Sequence, residues 1–85
     1  MDEKTRLLIT KSSSGKKRVS EAQQLKITKF FAKTTSWITS EGNDVTVQSI
    51  DWVFGQPYVN YVMFPNMSSS AASAKKFIET YTEKI

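Results

Sequence analysis

The sequence contains no cysteine and no histidine, and each absence excludes a kind of site. Without cysteine there is no disulfide, no thiolate metal ligand and no thiol nucleophile. Without histidine there is no imidazole base, no serine–histidine triad and no ordinary zinc site. Glycine (3 residues) and proline (2 residues) are also scarce, and the isolated glycines form no phosphate-binding loop. The groups that can carry the function are hydroxyls, lysines, carboxylates and aromatic rings. We expect no cofactor and no metal.

Long hydrophobic runs are missing as well. The longest continuous apolar run is four residues, 61–64, whereas a membrane-spanning helix needs about 20. The first six residues lack the apolar stretch of a signal peptide. A chain of 85 residues has room for one modest core. We therefore expect a single soluble domain over residues 1–85, intracellular (cytoplasmic or nuclear), without membrane contact.

The carboxylates offer little for catalysis. Most of the eight acidic residues fall at predicted termini, caps or exposed helix positions, and only Asp51 lies inside a predicted strand. A general acid and base, or a two-metal centre, needs at least two carboxylates that converge. The sequence places no second carboxylate beside Asp51. We expect a binding domain and no enzyme.

Positive charge is concentrated in the first half of the chain. Residues 1–42 hold nine basic and four acidic residues, whereas residues 43–85 hold three and four. Between Lys11 and Lys33 there are seven basic residues and a single acid, Glu21. Such a local excess attracts polyanions at long range, although a lysine-rich surface kept for solubility has the same composition.

The first half of the chain predicts a strand, a loop and a helix. Residues 5–10 (TRLLIT) are a short β-prone run. Residues 11–19 are polar, basic and glycine-containing, which indicates a flexible loop or arm. Residues 20–39 predict a helix, because Ser20 and Gln23 fit a capping box and the apolar residues recur at helical spacing. Gly42 suits the left-handed position that ends such a helix.

The second half predicts a β-hairpin and a final helix. Residues 44–54 and 57–64 alternate in polarity, with a phase change near Gln48 and Ser49 that a β-bulge would reconcile. Gly55-Gln56-Pro57 supplies the turn, which leaves Phe54 in the core phase of the first strand. The serines at 68–70 cap a helix with apolar residues at 74, 77, 78, 81 and 85. The predicted fold class is α+β, a two-layer β-α-β-β-α domain with the helices on one face of a short sheet.

Nucleic acid is the partner that the charge pattern favours. Lysines on the predicted arm and helix would neutralise phosphates, aromatic rings on the hairpin would stack on unpaired bases, and two lysines near unpaired amides of the last helix add a second phosphate site. The candidate nucleic-acid-binding residues are Lys16, Lys17, Arg18, Lys26, Lys29, Lys33, Trp52, Tyr58, Tyr61, Lys75 and Lys76. For any single tryptophan, burial in the core is the simpler interpretation.

Residues 24–31 (QLKITKFF) follow the pattern of glutamine, two residues, an aliphatic residue, two residues and an aromatic pair. This segment resembles the PIP box, the peptide by which replication and repair proteins dock on the sliding clamp. The resemblance implies that Gln24 fills a polar pocket while Ile27, Phe30 and Phe31 fill a hydrophobic one. The same apolar residues also complete the core stripe of the predicted helix, and they cannot do both. Clamp docking is the second hypothesis.

Two further interpretations stay open. A small protein-inhibitor role, of the kind that phage and viral proteins often play, is the third hypothesis, and the sequence offers no specific residues for it. Both faces of the predicted return strand are partly apolar, so an exposed face would favour a homodimer. The exposure of Ile27, Phe30 and Phe31 is the observation that separates the leading hypotheses.

Overall fold

The computed structural model describes residues 2–14 and 19–84, and these form three helices and a five-stranded sheet. The helices are α1 (Glu3–Ser13), α2 (Glu21–Lys33) and α3 (Ala74–Thr80). The strands are β1 (Ser36–Ile38), β2 (Asp44–Val53), β3 (Gln56–Met63), β4 (Ser68–Ser73) and β5 (Thr82–Glu83). The sheet is antiparallel throughout, in the order β4-β3-β2-β1-β5. The predicted α+β class is confirmed, whereas the order of elements is not β-α-β-β-α.

The first element is a helix and not the strand predicted for residues 5–10. The Asp2 carboxylate caps α1 by accepting a hydrogen bond from the Thr5 amide at 2.7 Å. Ile9 is fully buried while Leu7 is 55% exposed, a difference that alternation in a strand would not produce for two residues on the same face. The run is too short for its composition to determine whether it forms a strand or a helix. The packing of Ile9 against the core favours the helix. Residues 11–13 of the predicted loop belong to α1, and residues 15–18 lie outside the described residues.

Helix α2 begins where its sequence predicts and ends earlier. Ser20 and Gln23 form the predicted capping box. The helix stops at Lys33, and the chain continues as strand β1. Thr34, Thr35 and Ile38 are β-branched and have a low intrinsic helix propensity, so the strand conformation is favourable for this segment. Gly42 does have a positive φ of 87°, but it lies in the turn between β1 and β2 and ends no helix.

The predicted hairpin is confirmed as β2 and β3. Its register shifts between Val47 and Ser49, where the sequence predicts a bulge. The turn is Phe54-Gly55, and Gln56 already pairs with Val53. The predicted turn at residues 55–57 is therefore displaced by one position, and Phe54 leaves the core phase of the strand.

The serine run does not cap a helix, because residues 68–73 form the edge strand β4 paired with β3. Ser73 is the actual cap of α3, accepting a hydrogen bond from the Lys76 amide. The predicted apolar stripe is confirmed at Ala74, Phe77 and Ile78, which are buried. Small serine and alanine side chains have little preference of their own, so pairing with β3 sets their conformation.

The core lies between the helices and one face of the sheet. Trp37 of β1 is at its centre, stacked on Phe31 of α2 (ring centroids 6.1 Å apart) and edge-on to Phe77 of α3 (4.9 Å). Tyr61 of β3 packs on the same Phe77 ring at 5.2 Å. Aromatic pairs at these separations add to the free energy of burial. This cluster joins α2 and α3 to the sheet and sets which face of these two helices points outward.

Candidate nucleic-acid interface

Helix α2 carries a row of exposed lysines. Ile27 and Phe31 are fully buried, which turns Lys26, Lys29 and Lys33 toward solvent. At about 100° per residue these three positions fall within about 60° of one another around the helix axis. At about 1.5 Å per residue the row is about 10 Å long. Because one strand of duplex DNA presents a phosphate every 3.4 Å or so along the axis, this row matches about three phosphates.

The α2 lysines make no ion pair with any described residue. The ion pair found within residues 2–14 and 19–84 joins Lys84 to Asp44 at 2.8 Å, on the strand layer. Glu21 is the acid on α2, and it lies in the first turn, away from the lysine row. Within the described residues the row is therefore a set of ammonium groups that are not held in ion pairs, which leaves them able to contact phosphates.

Charge is segregated between the two layers of the molecule. All the described basic residues except Lys84 are exposed side chains of the helices: Lys4, Arg6, Lys11, Lys26, Lys29, Lys33, Lys75 and Lys76. Half of the acids lie on the strands and their turns: Glu41, Asp44, Asp51 and Glu83. The described helices with their caps thus have a net charge of +4, and the strand layer has a net charge of −3. A molecule polarised in this way orients its helical side toward a polyanion.

A shallow groove between α1 and α2 extends the basic surface. It is lined by Lys4 and Lys26 together with Asp2, Thr5, Leu8 and Gln23. The hydrogen bond from the Thr5 amide lowers the pKa of the Asp2 carboxyl below its ordinary value, so this group is ionised and offsets part of the positive charge of the groove. Lys4 and Lys26 are the ammonium groups of this groove. The sequence does not indicate a role for Lys4, because residues 5–10 predict a strand. The packing of α1 beside α2, which brings Lys4 near Lys26, is visible only in the structure.

Lys75 and Lys76 are exposed at the start of α3, but the amides there are occupied. The Lys75 amide donates to Ser13 Oγ at 3.2 Å, and the Lys76 amide donates to Ser73 Oγ at 3.3 Å. The expectation that the amides of Lys75 and Lys76 are unpaired is therefore wrong, and a phosphate site at these two lysines stays a prediction. The Lys75–Ser13 bond instead joins α3 to the end of α1. Lys16, Lys17 and Arg18, the candidate residues of the predicted arm, lie outside the described residues.

The three predicted stacking residues do not share a surface. Tyr61 is only 7% exposed and packs in the core. Trp52 faces the helices, half-buried, and its indole N–H donates to Thr28 Oγ1 at 3.2 Å. Tyr58 is half-buried on the opposite face, opposite Asp51 in register. The sheet separates Tyr58 from the other two rings, so the structure gives no common stacking platform.

The side chains at the centre of the open face of the sheet are small and mostly polar. Its central rows hold Thr46, Val62 and Ser69, then Ser49, Asn60 and Ala71. The Asn60 amide donates to Ser49 Oγ at 3.0 Å and to Asp51 Oδ2 at 2.8 Å. This face carries carboxylate and no lysine at its centre, which makes it the poorer surface for phosphates.

Residues 24–31 are part of the packed helix. Ile27 and Phe31 are fully buried, and Phe30 is half-buried with its ring 5.0 Å from that of Phe31. The Gln24 side-chain amide donates to the Val19 carbonyl at 3.2 Å. Residues in the core cannot at the same time fill a partner's pocket. Clamp docking through this segment would require α2 to leave the core, and it stays a prediction.

Comparison with protein-family models, with curated proteins and with solved structures found no match for this chain. Among the described residues, none of the helices combines the length and the apolar character needed to span a membrane. Within the same residues, no three Asp or Glu side chains are grouped in a way that would hold a metal ion.

Proposed function

We propose that this chain is a non-catalytic domain that binds nucleic acid through its helical layer, with the α2 lysine row at the centre of the contact. The observation that supports the proposal is the unpaired state of Lys26, Lys29 and Lys33 among the described residues, on the layer that holds the positive charge. Lys4 in the neighbouring groove adds a fourth ammonium group. Lys4 and the three α2 lysines are exposed and stand outside the core cluster, so their ammonium groups are available for binding.

The salt dependence of binding tests the proposal. Each phosphate neutralised on duplex DNA contributes about 0.9 to the slope of log K against log salt. We expect the triple variant Lys26→Gln, Lys29→Gln, Lys33→Gln to reduce that slope by about 2 to 3 and to weaken binding to DNA and RNA alike. Fluorescence anisotropy of a labelled oligonucleotide from about 50 to 200 mM salt measures both quantities.

Two controls separate a local contact from net charge. Lys84→Gln removes one positive charge from the strand layer, as Lys29→Gln does from α2. Ser69→Glu, on the open face of the sheet, changes the net charge by the same amount. We expect binding to fall with Lys29→Gln and to change little with either control. Equal losses in all three variants, or no salt-dependent binding by the unmodified protein, would contradict the proposal.

Docking on a sliding clamp is the second hypothesis, and it rests on the resemblance of residues 24–31 to the PIP box. Gln24 and Phe30 are the members of the pattern that keep partial exposure. Calorimetric titration of the full chain with a clamp tests it directly. Binding that is lost with Phe30→Ala, in a variant that remains folded, would support the hypothesis. Absence of binding by the unmodified chain would end it.

A further inference from the structure

Phe54 is the most exposed large apolar side chain among the described residues. It is 99% exposed, at the tip of the β2–β3 hairpin, where it packs on nothing. A single exposed leucine is ordinary on a protein surface, but a fully exposed phenylalanine gains nothing from folding. Packing in the core therefore does not explain why phenylalanine is present at position 54.

Turn chemistry does not explain it either. Phe54 and Gly55 are the two central residues of the hairpin turn, with φ values of 51° and 77°. Two-residue turns with positive φ at both positions match the twist of the strands and favour asparagine, aspartate or glycine at the first position. A bulky side chain is unfavourable in the left-handed region. Phe54 thus has an unfavourable backbone conformation as well as full exposure, a combination that points to a role outside the fold.

The strand that leads to the hairpin tip is hydrogen-bonded to the lysine helix. The hydrogen bond from the Trp52 indole to Thr28 Oγ1 fastens the end of β2 to the middle of α2. Phe54 lies two residues beyond Trp52, or about 7 Å along a strand. Lys29 follows Thr28 on α2 and is exposed. Asp51, the acid nearest the tip in sequence, lies on the opposite face of the sheet from Trp52 and accepts the Asn60 amide.

We propose that Phe54 stacks on an unpaired base of a single-stranded nucleic acid whose phosphates contact the α2 lysines. This inference rests on the proposed function and specifies its ligand. A fully exposed ring has both faces free for a base, and stacking tolerates any base because every base has a π face. The turn that carries the ring directly follows the segment of β2 that is hydrogen-bonded to α2 through Trp52. Paired bases are stacked on each other inside a duplex, so single strands are the better ligand.

Anisotropy titrations of the full chain with a labelled single strand of about 16 nucleotides, and with a duplex of the same sequence, test the proposal. We expect Phe54→Ala to weaken single-strand binding about 5- to 150-fold, the range that loss of one stacked base predicts. The slope against salt should stay unchanged, because phenylalanine carries no charge. Phe54→Trp should retain binding. Duplex binding should change little in either variant.

Two further variants guard against trivial explanations. Phe54→Asn places a residue that favours positive φ in the turn, so this variant keeps the hairpin while it removes the ring. Met67→Ala is the matched control, since Met67 is 68% exposed with a φ of 56° in the turn between β3 and β4, at the other end of the sheet. We expect Phe54→Asn to bind single strands as weakly as Phe54→Ala, and Met67→Ala to bind like the unmodified protein.

The outcomes separate this inference from the proposed function. If the unmodified protein binds with a steep salt dependence while Phe54→Ala and Phe54→Asn bind equally well, the stacking role is wrong and the basic surface stands. A loss that is equal for single strand and duplex also overturns the stacking role. If the unmodified protein binds no oligonucleotide, the proposed function fails, and the inference fails with it.

Discussion

Phe31 and Leu25 lie six residues apart on α2 in opposite environments: Phe31 is fully buried and Leu25 is 53% exposed. Truncating a buried phenylalanine removes its contacts and leaves a cavity, so we expect Phe31→Ala to lower the free energy of unfolding by about 3–5 kcal/mol. Leu25→Ala should change it by less than about 0.5 kcal/mol. Urea unfolding followed by circular dichroism measures both. Ile27→Val, expected to cost about 0.5–1.5 kcal/mol, keeps the test informative if Phe31→Ala does not fold.

A negligible effect of Phe31→Ala would contradict the core packing of α2. It would also favour the clamp-docking hypothesis, because the aromatic pair would then be available to a partner. The core interpretation and the clamp-docking interpretation of residues 24–31 thus predict different results in a stability measurement that needs no clamp.

Tyr81 introduces a pH dependence at the alkaline end. Burial, followed by the hydrogen bond with Tyr61, raises the pKa of Tyr81 to about 12. The neutral phenol is thus favoured in the folded state, and its contribution to stability is present below the ordinary pKa near 10 and lost as the pH rises toward 12. We expect Tyr81→Phe to lose less stability than the unmodified protein between those pH values. Thermal unfolding at a series of pH values, compared between the two proteins, measures this difference, and parallel curves would contradict it.

At the scale of elements, α2 depends on its first turn. Ser20 Oγ accepts from the Gln23 amide and Gln23 Oε1 accepts from the Ser20 amide, each at 3.3 Å. Because the box satisfies two amides that would otherwise lack a partner, we expect Ser20→Ala to cost about 1 kcal/mol of stability. Ser69→Ala, at an exposed position of β4, is the control and should be near neutral. Equal effects in chemical denaturation would show that the cap contributes nothing.

The end of α2 illustrates how one element limits another. Residues 34–39 continue the helical spacing of apolar residues, yet Trp37 lies in β1. The Trp37 indole donates to the Thr34 carbonyl at 2.7 Å, and its ring contacts both Phe31 and Phe77. Trp37 therefore still completes the core stripe, but from the sheet. The spacing identified the right core residue and assigned it to the wrong element.

At the scale of the whole molecule, separation of charge between the layers predicts one orientation of the ligand. We expect a bound single strand to slow amide hydrogen exchange in α2 and at the β2–β3 turn, and to leave exchange in β4 unchanged, because β4 is an edge strand of the sheet and carries no charge. Hydrogen–deuterium exchange with and without the oligonucleotide measures this. Protection confined to the sheet would place the ligand on the other layer and contradict the charge argument.

The sequence by itself determined the features whose pattern is long or chemically specific. The β2–β3 hairpin with its bulge, the capping box of α2, the buried stripe at residues 74, 77 and 78 and the excess of lysine before residue 34 can all be predicted from the residues. Each of these is a repeated or directional signal, in which several positions favour the same structure.

Tertiary structure alone decided the short, ambiguous segments. Residues 5–10 and 68–73 have intrinsic preferences of only tenths of a kcal/mol per residue, whereas burying Ile9 or pairing β4 with β3 contributes more. The same holds for the surface: the sequence shows the lysines but not which layer holds the acids, nor that Phe54 leaves the core phase. Those facts depend on where the chain turns and what packs beside it, because exposure belongs to the assembled molecule and not to a residue type.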